Sequence, residues 1–139
     1  MAIVGIDFGS RRIGLAVSRS GVIATPHSVL INQGSLEQAA EQLARIGEQL
    51  DADLFVLGLP RSLRHDAAST QAKFERLADL LRQKSCKEVL LWDEALTTVE
   101  AWDNLTVGGK RRKQIPREID MEAARIILQS YLDHLEGGT

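Results

Sequence analysis

"IVGIDFGSRRIGLAV", Ile3 to Val17, is the stretch on which the fold turns. Ile3, Val4, Ile6 and Phe8 make an apolar run interrupted by one acid, Asp7. Such a run reads as a strand buried on both faces, because a strand with one wet face alternates apolar and polar residues. Burying an ionised carboxylate without a partner is costly. Asp7 must therefore be hydrogen-bonded, paired with a cation, or placed where the strand opens onto a site.

Beyond the strand, Gly9-Ser10 marks a turn and "IGLAVS", Ile13 to Ser18, a second strand. Ser20-Gly21 signals another turn. Val22 to Ile31 reads as a third strand that Pro26 places at an edge or bends. Three strands joined by short turns imply an antiparallel meander. The period then changes: Leu36, Ala39, Ala40, Leu43, Ile46 and Leu50 recur at helical spacing behind a capping Ser35. "DLFVLGLP", Asp53 to Pro60, reads as a buried strand, Asp66 to Lys84 as a second helix, and "EVLLWD", Glu88 to Asp93, as another buried strand. Thr97 and Glu100 have capping-box spacing, so a helix is expected from just after Glu94 to Gly108-Gly109. Met121, Ala124, Ile127, Leu128, Tyr131, Leu132 and Leu135 line one side of a terminal helix. The fold class is α/β. Three antiparallel strands followed by alternating helices and strands predict a mixed sheet flanked by helices.

Length and composition narrow the function classes. The 139 residues suit a single domain, 1–139, that buries about 68–70% of its unfolded surface. The hydrophobic share of 44% and charged share of 26% are those of an ordinary globular protein. One cysteine, Cys86, excludes an internal disulfide and a cysteine-rich metal site, and is expected to be a small buried hydrophobe. With no basic leader and no apolar run long enough for a membrane span, no membrane is expected and a cytoplasmic location is. A net charge of −2 gives no global attraction to nucleic acid, so any such binding rests on a local patch. "GGKRRKQIPR" offers one: Lys110, Arg111, Arg112, Lys113 and Arg117.

Acids recur where a sheet of this kind carries its sites, at strand ends. Asp7 lies late in the first strand, Asp93-Glu94 closes the last, and Asp120 stands at or near the start of the terminal helix. Clustered carboxylates repel one another unless a cation neutralises them, and hard oxygen donors suit Mg²⁺ or Mn²⁺. No cysteine–histidine pattern competes; His27, His65 and His134 are scattered and read as surface residues. Phosphoryl transfer with two ions is chemistry that such acids serve. Taken singly, Glu94 also reads as a solvated strand end and Asp120 as a helix cap.

"GIDFGSRRIGLAVS", "VLGLP", "DEALTTVEA" and "IDMEAARIILQSYL", in this order and spacing, resemble the YqgF/RuvX family across nearly the whole chain. Its members are described as Holliday junction resolvases and as nucleases that mature the precursor of 16S ribosomal RNA. The resemblance implies an RNase H-like fold and a metal-dependent nuclease using two Mg²⁺ or Mn²⁺ ions. Asp7, Glu94 and Asp120 match the family's catalytic metal-binding acids. It implies a nucleic-acid partner, branched DNA or precursor ribosomal RNA, and a resolvase that cuts two strands symmetrically implies a homodimer. The basic run would then flank the active edge, with Arg11, Lys110, Arg111, Arg112 and Lys113 as candidate phosphate contacts. Glu122, about 200° around a helix from Asp120, is not expected to share its metal.

Two departures from the family pattern stand out. Its DER triplet reads Asp93-Glu94-Ala95 here, and its "MDG" segment after Pro60 reads "RSLRHD". Arg61, Arg64 or Arg11 is expected to supply the positive charge missing at position 95. Two rivals follow from the same residues. A non-catalytic nucleic-acid or ribosome-associated module could keep the fold, and "DFGS" also resembles the phosphate turn of actin-like and Hsp70-like ATPases. The second rival needs another lobe, which 139 residues with one such turn do not provide.

Overall fold

A computed structural model of the chain describes residues 2–60, 67–93 and 116–137. Over these, the elements in chain order are β1 (Ala2–Phe8), β2 (Arg12–Ser18), β3 (Thr25–Ile31), α1 (Leu36–Gln49), β4 (Ala52–Leu59), α2 (Ala67–Ser85), β5 (Glu88–Asp93) and α3 (Pro116–Gly137). The sheet order is β3-β2-β1-β4-β5. β1, β2 and β3 pair antiparallel, while β1–β4 and β4–β5 pair parallel, as the change from turns to helical crossovers dictates. The C-terminal ends of β1, β4 and β5 therefore reach one edge of the sheet together, beside the start of β2.

Both faces of the sheet are covered, which is why β1 reads as a continuous apolar run. On one face Val4, Ile6, Phe8, Ile13, Leu15, Phe55, Leu57 and Val89 pack against Leu43 of α1 and Phe74, Leu77 and Leu81 of α2. Each fully buried leucine there contributes about 1.5–3 kcal/mol. On the other face Ile3, Ala16, Val56 and Trp92 meet Ala124, Ile127, Leu128 and Leu132 of α3. Small residues let α3 sit close. A Cβ on Gly5 would stand 2.6 Å from the Cβ of Leu128, so only glycine fits beneath that turn.

Local signals place the ends of the elements. Ser35 caps α1 by accepting from the Gln38 amide at 3.3 Å. Pro116 opens α3, where its missing N–H costs nothing. Three expectations need correction. β3 starts at Thr25, not Val22; Val22 and Ile23 donate their amides to Ser20 Oγ, while the Ala24 amide donates to Gln129 of α3, and the register shifts beside Pro26. Cys86 is exposed at φ 59°, in the turn between α2 and β5, because the chain must reverse there. α3 begins at Pro116, so Asp120 lies inside the helix rather than capping it. The expected helix from Glu94 to Gly108-Gly109 falls outside the described residues. Among the described residues, no helix is long and apolar enough to cross a membrane.

Candidate active site

Asp7 points to the face that α3 covers. Its neighbours Ile6 and Phe8 belong to the opposite core, and side chains alternate along a strand. Directly across the hairpin Asp7 pairs with Gly14, and residues paired in this way project to the same face about 4.5–5.5 Å apart. Gly14 has no side chain for a structural reason: a Cβ there would fall 2.1 Å from the main-chain oxygen of Asp120. The first turns of α3 thus lie directly on Gly14. This brings Asp120 over the strand position beside Asp7, although 113 positions separate the two acids in the chain. Asp7 and Asp120 are both half-buried.

Arg12, the first residue of β2, stands on the same face two positions before Gly14. Its Nε donates to Asp120 Oδ2 at 2.5 Å. The side chains of Arg12 and Asp120 keep 38% and 23% of their surface exposed, so the pair sits at the mouth of the site. Sequence reading passed over Arg12 in favour of Arg11, Arg61 and Arg64. The signal that could have found it is strand alternation: Arg12, Gly14 and Ala16 share a face, and only that face receives α3.

The β1–β2 turn is braced from β3. Asn32 Nδ2 donates to the Gly9 carbonyl at 2.8 Å, its backbone amide to the Arg11 carbonyl at 2.9 Å, and its Oδ1 accepts from the Gly34 amide at 2.9 Å. Asn32 was also missed, since an asparagine in a loop is an ordinary turn residue. Asn32→Leu deletes both side-chain bonds, and urea denaturation is expected to show a loss of about 1–2 kcal/mol. An unchanged midpoint would show that the turn holds its shape without Asn32.

Other candidates are placed apart. Asp93 ends β5 on the face opposite Trp92, exposed and away from Asp7. Glu122 pairs with Arg125 within α3. His27 and His134 are exposed, and His134 stacks edge-on against Trp92. Arg11 is exposed at the hairpin turn. Glu94, Arg61, Arg64, His65, Lys110, Arg111, Arg112 and Lys113 fall outside the described residues. Among the described residues, no three histidine, cysteine, aspartate or glutamate side chains form a metal-binding group. The described part of the acid set is Asp7 with Asp120.

A cavity of about 610 Å³ opens at the opposite edge, where Arg45, Glu48, Asp53, Lys84 and Lys87 line the start of β4. It lies toward the opposite end of the strands from the acids and mixes both signs of charge.

The known proteins that this chain resembles agree with this architecture. Residues 1–134 match the family model described as "RuvX: Holliday junction resolvase". A protein of Agathobacter rectalis named "Putative pre-16S rRNA nuclease" is 36% identical over 138 residues, covering 97% of this chain and 96% of that protein. A protein of the same name from Desulforudis audaxviator is 34% identical, covering 99% and 98%. In structure, Thermus thermophilus RuvC in complex with a Holliday junction substrate superposes with a TM-score of 0.70 at 14% identity, covering 100% of this chain and 97% of that one. The Fowlpox virus resolvase with junction DNA gives 0.59 at 11% identity, covering 97% and 99%. The fold is RNase H-like, and the chain belongs to the RuvX family.

Proposed function

We propose that this chain is a divalent-metal-dependent nuclease whose centre is built from Asp7, Glu94 and Asp120, with Mg²⁺ or Mn²⁺ as cofactor. The observation that carries the reading is the juxtaposition of Asp7 and Asp120 across the side-chain-free position of Gly14. Nothing in core packing calls for two carboxylates at this spot, and an apolar pair would serve the sheet better. The donor set fits such an ion: hard carboxylate oxygens, partly exposed, with one cation, Arg12, already drawn to Asp120.

When bound, the metal supplies the charge that activates water and stabilises the attacking and leaving oxygens of phosphodiester hydrolysis. The chain's own residues do the rest. Asp7 is held at its height on the sheet by its antiparallel pairing with Gly14. Asp120 is aimed by the helix above Gly14 and by Arg12. Glu94 directly follows the last residue of β5 and completes the acid set in this proposal. The basic run Lys110, Arg111, Arg112 and Lys113 precedes α3 and would track the nucleic-acid backbone without reading bases.

The substrate class proposed is structured nucleic acid, either precursor 16S ribosomal RNA or branched DNA. The curated relatives' name favours the former, and the family description the latter. The whole chain, 1–139, is proposed to act as one domain, and a homodimer follows if a junction is cut symmetrically. The test is a cleavage panel of a four-way DNA junction, a single-stranded DNA and a precursor RNA. Cleavage is expected with Mg²⁺ or Mn²⁺ and none after chelation with EDTA. Binding without cleavage on every substrate in either metal would instead support the non-catalytic module.

A further inference from the structure

The geometry points to Arg12 as the residue that grips the nucleic-acid backbone at the acid site, with Nε on Asp120 and its Nη end on a phosphate. This rests on the reading of the site as a nucleic-acid-cutting centre. Three observations carry it. Arg12 lies on the same sheet face as Asp7 and Gly14, so it borders the acids rather than the solvent side of the hairpin. Only Nε is committed to Asp120; among the described residues the two Nη groups donate to nothing. The side chain is 38% exposed, open enough for a phosphate to reach it.

A guanidinium is a planar fork of five donors that binds two phosphate oxygens side by side, which a lysine cannot reproduce. Bracing one carboxylate oxygen uses one of those donors. The remainder are left for a phosphodiester brought to Asp7 and Asp120 for cleavage. Arg12 also offsets part of the repulsion between the acids and an incoming phosphate before any metal arrives, so its charge matters most to binding of the metal-free protein. The Asn32 brace beneath Gly9 and Arg11 keeps the start of β2, and with it Arg12, in place.

The experiment measures binding of the full chain to a fluorescent four-way DNA junction in EDTA, at several salt concentrations between about 50 and 200 mM KCl. One lost phosphate contact lowers the magnitude of the slope of log K against log salt by about 0.9 on duplex DNA. Arg12→Gln is expected to show that drop. Arg12→Lys, which keeps the charge, should hold the wild-type slope. Arg45→Gln, on the far side of α1 and paired with Glu41, should also leave it unchanged. A wild-type slope in Arg12→Gln would overturn the proposal and leave Arg12 as a brace for Asp120 alone, because a purely structural role does not release counterions.

Asp120→Asn supplies a second arm that does not depend on Arg12→Gln folding. It frees the guanidinium from a competing charge, so metal-free binding is expected to tighten by more than in Asp7→Asn, which removes a like charge without touching Arg12; equal tightening in the two variants, or weaker binding, counts against the phosphate contact. Because no arm requires turnover, the two readings fail separately. A wild-type protein that binds the junction but never cleaves loses the nuclease proposal and leaves the slope comparison intact. A cleaving protein with an unaltered Arg12→Gln slope loses only the Arg12 contact.

Discussion

Asp7→Asn is expected to abolish cleavage on every substrate while leaving the fold intact. The substitution keeps the shape of the side chain and its place between Ile6 and Phe8, but removes the charge that a divalent ion requires. Charge stabilisation by a bound metal is worth several kcal/mol at the transition state, so a loss of about 10³-fold or more follows. Circular dichroism and the thermal midpoint should match wild type. Junction or RNA binding in EDTA should be retained or tightened, because one negative charge leaves the phosphate's neighbourhood. Cleavage within a few-fold of wild type would remove Asp7 from the metal centre and with it the proposed mechanism. The Asn variant is preferable to Ala, because a cavity in β1 would confuse lost chemistry with lost packing.

The second large effect is expected at a residue with no chemistry of its own. Gly14→Ala introduces a methyl group where the space is already filled by the Asp120 carbonyl, at 2.1 Å. Backbone cannot yield as a flexible side chain does, so α3 must lift from β2. Overpacking of this kind costs about 1–3 kcal/mol, read as a lower denaturant midpoint. Lifting the helix also carries Asp120 away from Asp7, and a displacement near 1 Å in a catalytic group is worth about 10²-fold in rate. Below its melting temperature the variant should therefore be folded, bind Mn²⁺ more weakly and cleave about 10²-fold more slowly. Wild-type cleavage by Gly14→Ala would show that Asp120 need not sit against β2 to function.

Arg12→Gln separates from both of these by its readout. Asp7→Asn acts on turnover, Gly14→Ala on stability and turnover together, and Arg12→Gln on the salt dependence of binding without metal. The three variants report on the acid, on the contact that positions its partner, and on the cation paired with that partner. Running them side by side tests whether the site is one unit.

Much of this molecule was legible in its order of residues. The uninterrupted apolar run of β1 required cover on both faces, and α1 with α2 on one side and α3 on the other provide it. The change from two-residue to helical period announced the change from antiparallel to parallel pairing. Asp7 stood out because an acid amid isoleucine, valine and phenylalanine has no cheap explanation. Glu88 to Asp93 matched its strand at both ends because its apolar core is bounded by charged residues. Where punctuation was weaker the ends moved: Val22 and Ile23 look like strand residues, yet Ser20 Oγ and the Gln129 side chain claim this segment's backbone hydrogen bonds instead.

Sequence alone determined the class of fold and the strand position of an acid set among apolar residues, since these follow from local period and from the cost of burying charge. Only the tertiary structure decided which groups meet. Gly14 is an unremarkable glycine in a strand until α3 lies on it, and Arg12 is one of two adjacent arginines until alternation turns it, and not Arg11, toward Asp120. Both assignments depend on contacts between residues more than a hundred positions apart. A pattern with periods of two and 3.6 residues cannot encode such contacts; the close approach of a helix to a sheet can.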